Sequence, residues 1–185
     1  MSDPSLSWSN DKNWIQTNSG GQFYPLDPRL EDINILDIVE GISKECRYNG
    51  QTNGFYSVAE HCVILSRLVP ERLAKAALLH DASEGYISDI CRPVKTKPEM
   101  AEYVLAEARL QNTLYHYFRI THTAEDWKLL ETLDSEMIHI EAPQVFKTLN
   151  PAWKLRPPKF DVKIQMLEWR DAKAAYMQRF NELLT

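Results

Sequence analysis

The sequence is poor in glycine, and none of its six glycines lies beyond Gly85 in a chain of 185 residues. Its ten prolines are unevenly spread as well. The stretches free of proline are 29–69, 71–92, 99–142 and 159–185. Because proline breaks the interior of a helix and glycine weakens it, these stretches are where long helices can form.

The chain also lacks the features of an exported or membrane protein. Its N-terminus has no basic segment followed by an apolar one, and no apolar run approaches the roughly 18 residues that cross a bilayer. Its three cysteines are an odd number without CxxC spacing, which favours reduced, buried thiols over a disulfide framework. We therefore expect a cytoplasmic protein with no membrane partner.

The overall charge is mildly acidic rather than basic. Lys and Arg together number 21 and Asp and Glu 26, which gives a formal net charge of −5. This balance disfavours a nucleic-acid polymer as the partner, although a local cationic pocket for a smaller anion is compatible with it. Hydrophobic residues make up 44% and charged residues 25%, the composition of an ordinary globular protein.

Apolar residues recur at helical rather than strand spacing in each stretch that lacks proline. Ser57 and Glu60 form a capping-box pattern at the start of one helix, and Thr123 with Asp126 resembles another. Gly85 is expected to end a third helix. The predicted helices are 32–44, 57–69, 71–84, 98–118, 124–141 and 161–183.

These elements predict an all-α fold, built as a single globular helical domain over residues 1–185. The segment 1–30 is rich in Ser, Asn, Gly and Pro and is expected to be irregular. Residues 31–141 are expected to form the core that carries the functional site. Residues 142–185 are expected to form a proline-rich loop followed by the last helix.

Four polar side chains, His61, His80, Asp81 and Asp134, fall on faces where the periodicity calls for apolar residues. A carboxylate buried without a partner costs several kcal/mol, so each aspartate needs a cation or hydrogen-bond donors. Two imidazoles and two carboxylates converging from three helices suit a divalent metal of borderline hardness. The alternative is that each histidine is a satisfied core residue and each aspartate a cap or an ion-pair partner.

The remaining histidines and the N-terminal tryptophans are not expected to belong to the functional site. His116 and His122 lie on or beyond the end of the fourth predicted helix and are expected at the surface. His139 falls on a different helix face from the candidate aspartate five residues before it. Trp8 and Trp14 are expected to be hydrophobic anchors rather than ligand platforms.

A distinctive string of residues surrounds the His-Asp pair. It runs from His80 to Lys95 as HDASEGYISDICRPVK and is preceded by YSVAEH, which ends at His61. This string resembles HD-domain phosphohydrolases, in particular bacterial 5′-deoxynucleotidases and phage deoxynucleoside-triphosphate triphosphohydrolases. The resemblance covers residues 14–140, and the closing YMQRFNELL segment is similar to small prophage members. It implies an all-α enzyme, working as a homo-oligomer, that hydrolyses deoxynucleotide phosphoesters.

The resemblance also implies roles for individual residues. The four candidate ligands would bind one divalent ion per chain, whether Co²⁺, Mn²⁺, Zn²⁺ or Mg²⁺. Glu84 and Asp89 would be catalytic, holding a water or moving its proton. Arg47 and Tyr48 would bind substrate, although the family usually has Arg followed by Trp or Phe at this point. Lys95, with Arg47, would supply cations for the phosphates.

The sequence leaves several functions open. The leading one is hydrolysis of a 2′-deoxynucleotide, which releases phosphate from a monophosphate or triphosphate from a dNTP. One alternative is hydrolysis of a signalling nucleotide, either cyclic or a hyperphosphorylated guanosine. A second is a catalytically silent nucleotide-binding protein with the same fold, and a third is a helical partner-binding module without a ligand.

Overall fold

The structure is a computed structural model of the chain and is described for residues 13–184. Within that range it contains eight α-helices and one short antiparallel sheet, so the predicted all-α class is confirmed. The elements are β1 Ile15–Gln16, β2 Gln22–Phe23, α1 Ile35–Lys44, α2 Val58–Leu68, α3 Glu71–Leu78, α4 Glu84–Ile87, α5 Arg92–Lys95, α6 Ala101–Tyr117, α7 Ala124–Val145 and α8 Trp169–Glu182. No helix among the described residues is long and apolar enough to span a bilayer.

The β1–β2 hairpin lies in the segment where irregular chain was expected. Phe23 of this hairpin is fully buried, and its ring stacks on Tyr86 with the centroids 3.7 Å apart. Ser19, in the connecting turn, donates its N–H and its hydroxyl to the Asp37 carboxylate at 2.8 and 2.6 Å. The prediction that residues 1–30 are irregular is therefore wrong for the hairpin, which packs on α1. Trp8, predicted to be a hydrophobic anchor, lies outside the described residues.

The hydrophobic core consists of two clusters that meet at α2. One cluster joins α1, α2, α6 and α8 and includes Phe23 of the hairpin. The other joins α2, α3 and α7 with the extended chain before α8. Because α2 contributes residues to both clusters, most of its side chains are buried, and His61 is among those with no exposed surface.

Helix α2 is capped by Ser57 as predicted, but the Glu60 carboxylate does not take part in the cap. The Ser57 hydroxyl accepts the Glu60 N–H at 3.1 Å, which caps the helix. Glu60 does not complete a capping box. Its buried carboxylate instead accepts the backbone N–H groups of Gln165, Met166 and Leu167 at 2.8, 3.2 and 2.8 Å.

This contact explains why the prediction of a helix over 161–183 is wrong in its first part. The chain over 161–168 has no regular secondary structure, and Met166 has a φ of 52°. Helix α8 begins only at Trp169. Three consecutive N–H groups directed at one carboxylate cannot also donate to carbonyl groups four residues earlier, so the Glu60 carboxylate holds this segment out of the helix.

The predicted helix 71–84 also ends early. Helix α3 stops at Leu78, where the N–H of Leu79 bonds to the carbonyls of Lys75 and Ala76. The chain then turns before the short helix α4 begins at Glu84. His80 and Asp81 therefore lie in this turn. The prediction that they lie on a helix face is wrong.

The prediction that Gly85 ends a helix is wrong, since Gly85 lies inside α4. Its small size instead allows α4 to pack closely on α1. A Cβ atom on Gly41 of α1 would stand 2.4 Å from the Gly85 carbonyl oxygen, which only a glycine pair permits. The chain reverses instead at Ser88, whose φ is 69°. Helix α4 thus packs directly on α1, and the chain turns after α3 to make this contact.

Two further predictions are corrected in part. Helix α7 has the expected capping box at Thr123 and Asp126 but continues through Pro143 to Val145. All three cysteines are free, as predicted, yet only Cys62 is buried, whereas Cys46 and Cys91 are half-buried.

Replacement of Glu60 by alanine is expected to lower the free energy of unfolding by about 2–4 kcal/mol, because the three N–H groups lose their acceptor. Urea denaturation measures this change, and hydrogen exchange of the amides at 165–167 should accelerate. Glu102→Ala, at an exposed position on α6, is the matched control and should shift stability by less than about 0.5 kcal/mol. Equal unfolding midpoints for the two variants would contradict the role given to Glu60.

Candidate metal centre

The four residues predicted as ligands converge in the structure. His61 comes from α2, His80 and Asp81 from the turn after α3, and Asp134 from α7. His61 Nε2 lies 3.2 Å from His80 Nε2 and 3.1 Å from Asp134 Oδ1. His80 Nε2 lies 3.1 Å from Asp81 Oδ2. His61, His80 and Asp81 offer ligand atoms within 4.8 Å of one another, so this group could hold a metal ion.

The neighbouring residues His80 and Asp81 share the site from the turn after α3. Helix α3 ends at Leu78, and in the turn that follows the imidazole and the carboxylate approach each other directly. The predicted ligand pair is therefore brought together by a turn rather than by the helix that the sequence predicted.

Contacts on the far side of each imidazole determine which nitrogen carries the proton. His80 Nδ1 lies 2.7 Å from the Ala77 carbonyl oxygen, which can only accept, so Nδ1 is protonated. His61 Nδ1 lies 2.5 Å from the Glu141 carboxylate and donates to it in the same way. In the neutral tautomer that these bonds favour, each ring directs an unprotonated Nε2 toward the centre of the cluster.

This donor set fits a cation. The Nε2 atoms of His61 and His80 face each other at 3.2 Å, with Asp81 and Asp134 carboxylate oxygens beside them. Burial lowers the pKa of His80, but the charges of Asp81 and Cys62 and the hydrogen bonds to Asp134 and Asp81 together raise it well above its ordinary value. The cluster therefore favours positive charge, which a proton or a metal ion can supply. Carboxylate and carbonyl partners behind ligating imidazoles are typical of metal sites.

Glu141 is the residue of this site that the sequence analysis missed. Its carboxylate is fully buried and accepts from His61, from the hydroxyls of Tyr48 and Tyr56 at 2.6 and 2.7 Å, and from Arg47 at 3.3 Å. Burial raises its pKa, but the charges of Arg47 and His61 and these hydrogen bonds together hold the pKa far below its ordinary value. Glu141 therefore remains ionised and orients His61.

A sequence signal for Glu141 was present. It follows Asp134 by seven residues, which is two helical turns, so both carboxylates project from one face of α7. In the predicted helix 124–141, Glu141 is the last residue, and polar side chains are common at helix ends.

Arg47 lies beside the cluster, as its predicted role requires. Its guanidinium is 3.6 Å from Asp81 Oδ2 and 3.3 Å from Glu141 Oε2, and about a fifth of its side chain is exposed. Because it touches two carboxylates, its charge is partly neutralised. Phosphate binding by Arg47 stays a prediction.

Tyr48 follows Arg47 in a turn with left-handed backbone, where Tyr48 and Asn49 have φ values of 55° and 52°. Its hydroxyl donates to Glu141, and its ring packs against Phe146 and Trp153 with centroid distances of 5.2 and 6.2 Å. The contacts give Tyr48 a positioning role toward Glu141. Its stacking on a base stays a prediction.

Glu84 is buried, and its Oε2 atom has no hydrogen-bond partner among residues 13–184. Burial raises the pKa of its carboxyl well above the ordinary value, and the charges of Asp81 and Asp89 raise it further. The Lys95 ammonium lies 3.7 Å from Glu84 Oε1 and 2.6 Å from Glu107 Oε1. Glu84 is thus a carboxyl with a raised pKa next to the candidate ligands.

Asp89 lies just beyond the reversal that ends α4. Its backbone N–H donates to Glu45 Oε1 at 3.1 Å. Burial raises the pKa of this carboxyl, Arg47 lowers it, and Asp81 raises it again, with a net upward shift. Its predicted role in proton transfer stays a prediction.

The other three histidines lie outside the cluster. His116 and His122 are exposed, as expected. His139 is half-buried, and its Nδ1 accepts the Arg156 N–H at 3.3 Å.

Comparison with known proteins gives relatives but no activity. No protein-family model matches the chain. The uncharacterized protein RCAP_rcc00048 of Rhodobacter capsulatus is 34% identical over 143 residues, which cover 71% of this chain and 72% of the relative. The chain belongs to the family of RCAP_rcc00048. The uncharacterized protein YfdR of Escherichia coli is 46% identical over 83 residues, 45% of this chain, and the match spans 47% of YfdR.

Metal binding provides a direct test of this centre. Equilibrium dialysis against Mn²⁺, Co²⁺ or Zn²⁺ is expected to give one ion per chain, and His61→Ala, His80→Ala and Asp81→Ala to abolish binding. Glu141→Gln should weaken affinity by about 10- to 100-fold, because His61 loses the charged acceptor that orients it. His116→Ala is the control and should bind like the wild type. Retention of the ion by all three ligand variants would rule this centre out.

Proposed function

We propose that the protein is a metal-dependent phosphohydrolase of 2′-deoxynucleotides, and that His61, His80, Asp81 and Asp134 together hold its divalent ion. The observation that carries the proposal is the meeting of two imidazole nitrogens and two carboxylates beside Glu84, a buried and partly unpaired carboxyl group. A structural cluster needs no such proton-carrying group beside it, whereas hydrolysis does.

The substrate class rests on the resemblance of the HDASEGYISDICRPVK string to HD-domain phosphohydrolases. The electrostatics around the cluster are compatible with that class. Carboxylates predominate there, and among residues 13–184 it is Arg47 and Lys95 that add fixed positive charge nearby. A phosphoryl group would therefore be repelled from the bare site, and its binding should depend on the cation.

Each residue around the cluster has a chemical task in this proposal. When bound, a divalent cation supplies a water of lowered pKa and offsets charge on the phosphoryl oxygens. Glu84, whose pKa is raised by burial, can hold a proton more readily than an ordinary carboxyl and exchange it with a reacting oxygen. Asp89 serves the same proton path from the opposite end of α4. Arg47 binds a phosphoryl oxygen from the side of Glu141, and Lys95 contributes charge from the side of Glu107.

Variants of the two acidic residues separate catalysis from metal binding. Glu84→Ala and Asp89→Ala are expected to lower kcat by about 10²- to 10⁴-fold, since each removes a proton-transfer group. Both should still bind one ion in equilibrium dialysis. Glu102→Ala, which removes an exposed carboxylate on α6, should leave kcat unchanged. Loss of the ion from either variant would make it a metal ligand instead.

The reaction itself is tested with a panel of dNMPs, dNTPs and cyclic or hyperphosphorylated nucleotides in the presence of Mn²⁺, Co²⁺, Zn²⁺ or Mg²⁺. Release of orthophosphate from dNMPs identifies a nucleotidase, and release of tripolyphosphate from dNTPs identifies a triphosphohydrolase. Hydrolysis of only the signalling nucleotides would reassign the substrate. Absence of any hydrolysis by the metal-loaded protein would overturn the proposed function.

A further inference from the structure

A cavity of about 650 Å³ extends from the candidate metal centre between α6 and α7. His80, Asp81 and Glu84 line one part of it, and Trp127 lines another. Its volume lies within the range of pockets that hold small organic ligands. The chemistry proposed above uses only the part next to the cluster, so the remainder of the cavity has no assigned occupant.

The part of the cavity at the start of α7 is aromatic. Trp127 is 36% exposed, although tryptophan at the inner side of a helix is usually covered. Its ring lies 5.3 Å from the His122 ring at an angle of 32° and meets the buried Tyr115 ring edge-on at 6.1 Å. Tyr115 and His122 thus hold the Trp127 ring in place while leaving surface available to a ligand.

Two polar side chains that line the same cavity lack protein partners. Asn112 on α6 and Glu131 on α7 make no hydrogen bond or ion pair with any residue of the 13–184 range. An amide offers donors and an acceptor, and a carboxylate offers acceptors only. Both can therefore bond to the edge of a heteroaromatic ring without breaking an existing contact.

The charge of the cavity wall selects against a phosphate chain in this part. Glu107 and Glu131 are both acidic, and the Lys95 ammonium is already paired with Glu107 at 2.6 Å. Additional phosphates would face net negative charge there. An uncharged ring with N–H donors suits the same wall.

We propose that this cavity holds the nucleoside end of the substrate, with its base stacked on Trp127 and its N–H groups donating to Glu131 and Asn112. The inference rests on the proposed function and specifies where that substrate lies. It places the base away from Tyr48, whose ring already packs against two aromatic side chains and whose hydroxyl is bonded to Glu141. The phosphates are then left to the part of the site next to the cluster, near Arg47 and Lys95.

Deoxyadenosine tests the site without metal or hydrolysis, because it has the base and sugar but no phosphate. Its Kd for the full-length, metal-free protein is measured by ligand-observed NMR. Trp127→Ala is expected to raise this Kd on the order of 10- to 100-fold, in line with stacking on an aromatic ring. Trp127→Phe should recover most of the affinity. Trp169→Ala, on α8 and far in sequence from the cavity, is the matched control and should not change the Kd.

Two further variants make the test decisive. Glu131→Ala, at an exposed position where folding is not at stake, should weaken deoxyadenosine binding several-fold. Trp153→Ala removes an aromatic neighbour of Tyr48 and should have no effect. An unchanged Kd in Trp127→Ala and Glu131→Ala, no detectable binding by the wild type, or weakening only in Trp153→Ala would overturn the inference.

The outcome is separable from that of the proposed function. If deoxyadenosine binds at Trp127 but no nucleotide is hydrolysed, the phosphohydrolase proposal fails and the nucleoside site stands. If nucleotides are hydrolysed with the same KM by the wild type and Trp127→Ala, the nucleoside site fails and the phosphohydrolase proposal stands.

Discussion

The buried carboxylate of Glu141 is the group on which the geometry of the site depends. An ionised carboxyl with no exposed surface is stable only when donors surround it, and four side chains supply those donors. One of them is His61, whose ring orientation is thereby set. Another is Tyr48, which adopts a left-handed backbone conformation that a bulky residue normally avoids. The bond to Glu141 is a reason for that conformation to persist.

Helix α2 connects this site to the rest of the fold through two adjacent residues. His61 faces the candidate metal centre, while Glu60, about 100° away around the helix, holds the backbone at 165–167. Since both side chains are buried, a rotation of α2 would break both sets of contacts at once. The C-terminal segment therefore helps to keep His61 in position, although it contributes no ligand to the cluster.

The site concentrates negative charge in a way that makes its chemistry depend on a cation. Asp81, Asp134, Glu84 and Asp89 lie around the two imidazoles, against the partly neutralised Arg47. Burial and mutual repulsion raise the pKa of Glu84 and Asp89, whereas His61 and His80 help hold that of Asp134 well below its usual range. Carboxyl groups with pKa values shifted apart in this manner are suited to separate tasks, one set binding and the other exchanging protons.

The sequence by itself determined the helical class and the caps of α2 and α7, because periodicity and capping are local properties. It also singled out His61, His80, Asp81 and Asp134, whose side chains the structure brings together. Only the tertiary structure decided where α3 ends, because the close contact of Gly85 with Gly41 draws the chain toward α1. It likewise decided that 161–168 is not helical, because the acceptor for three of its N–H groups is Glu60, about a hundred residues earlier. The role of Glu141 depends on donors from distant turns in the same way. Such long-range partners leave no trace in a periodic pattern, since a pattern records which face of a helix is buried and not what it is buried against.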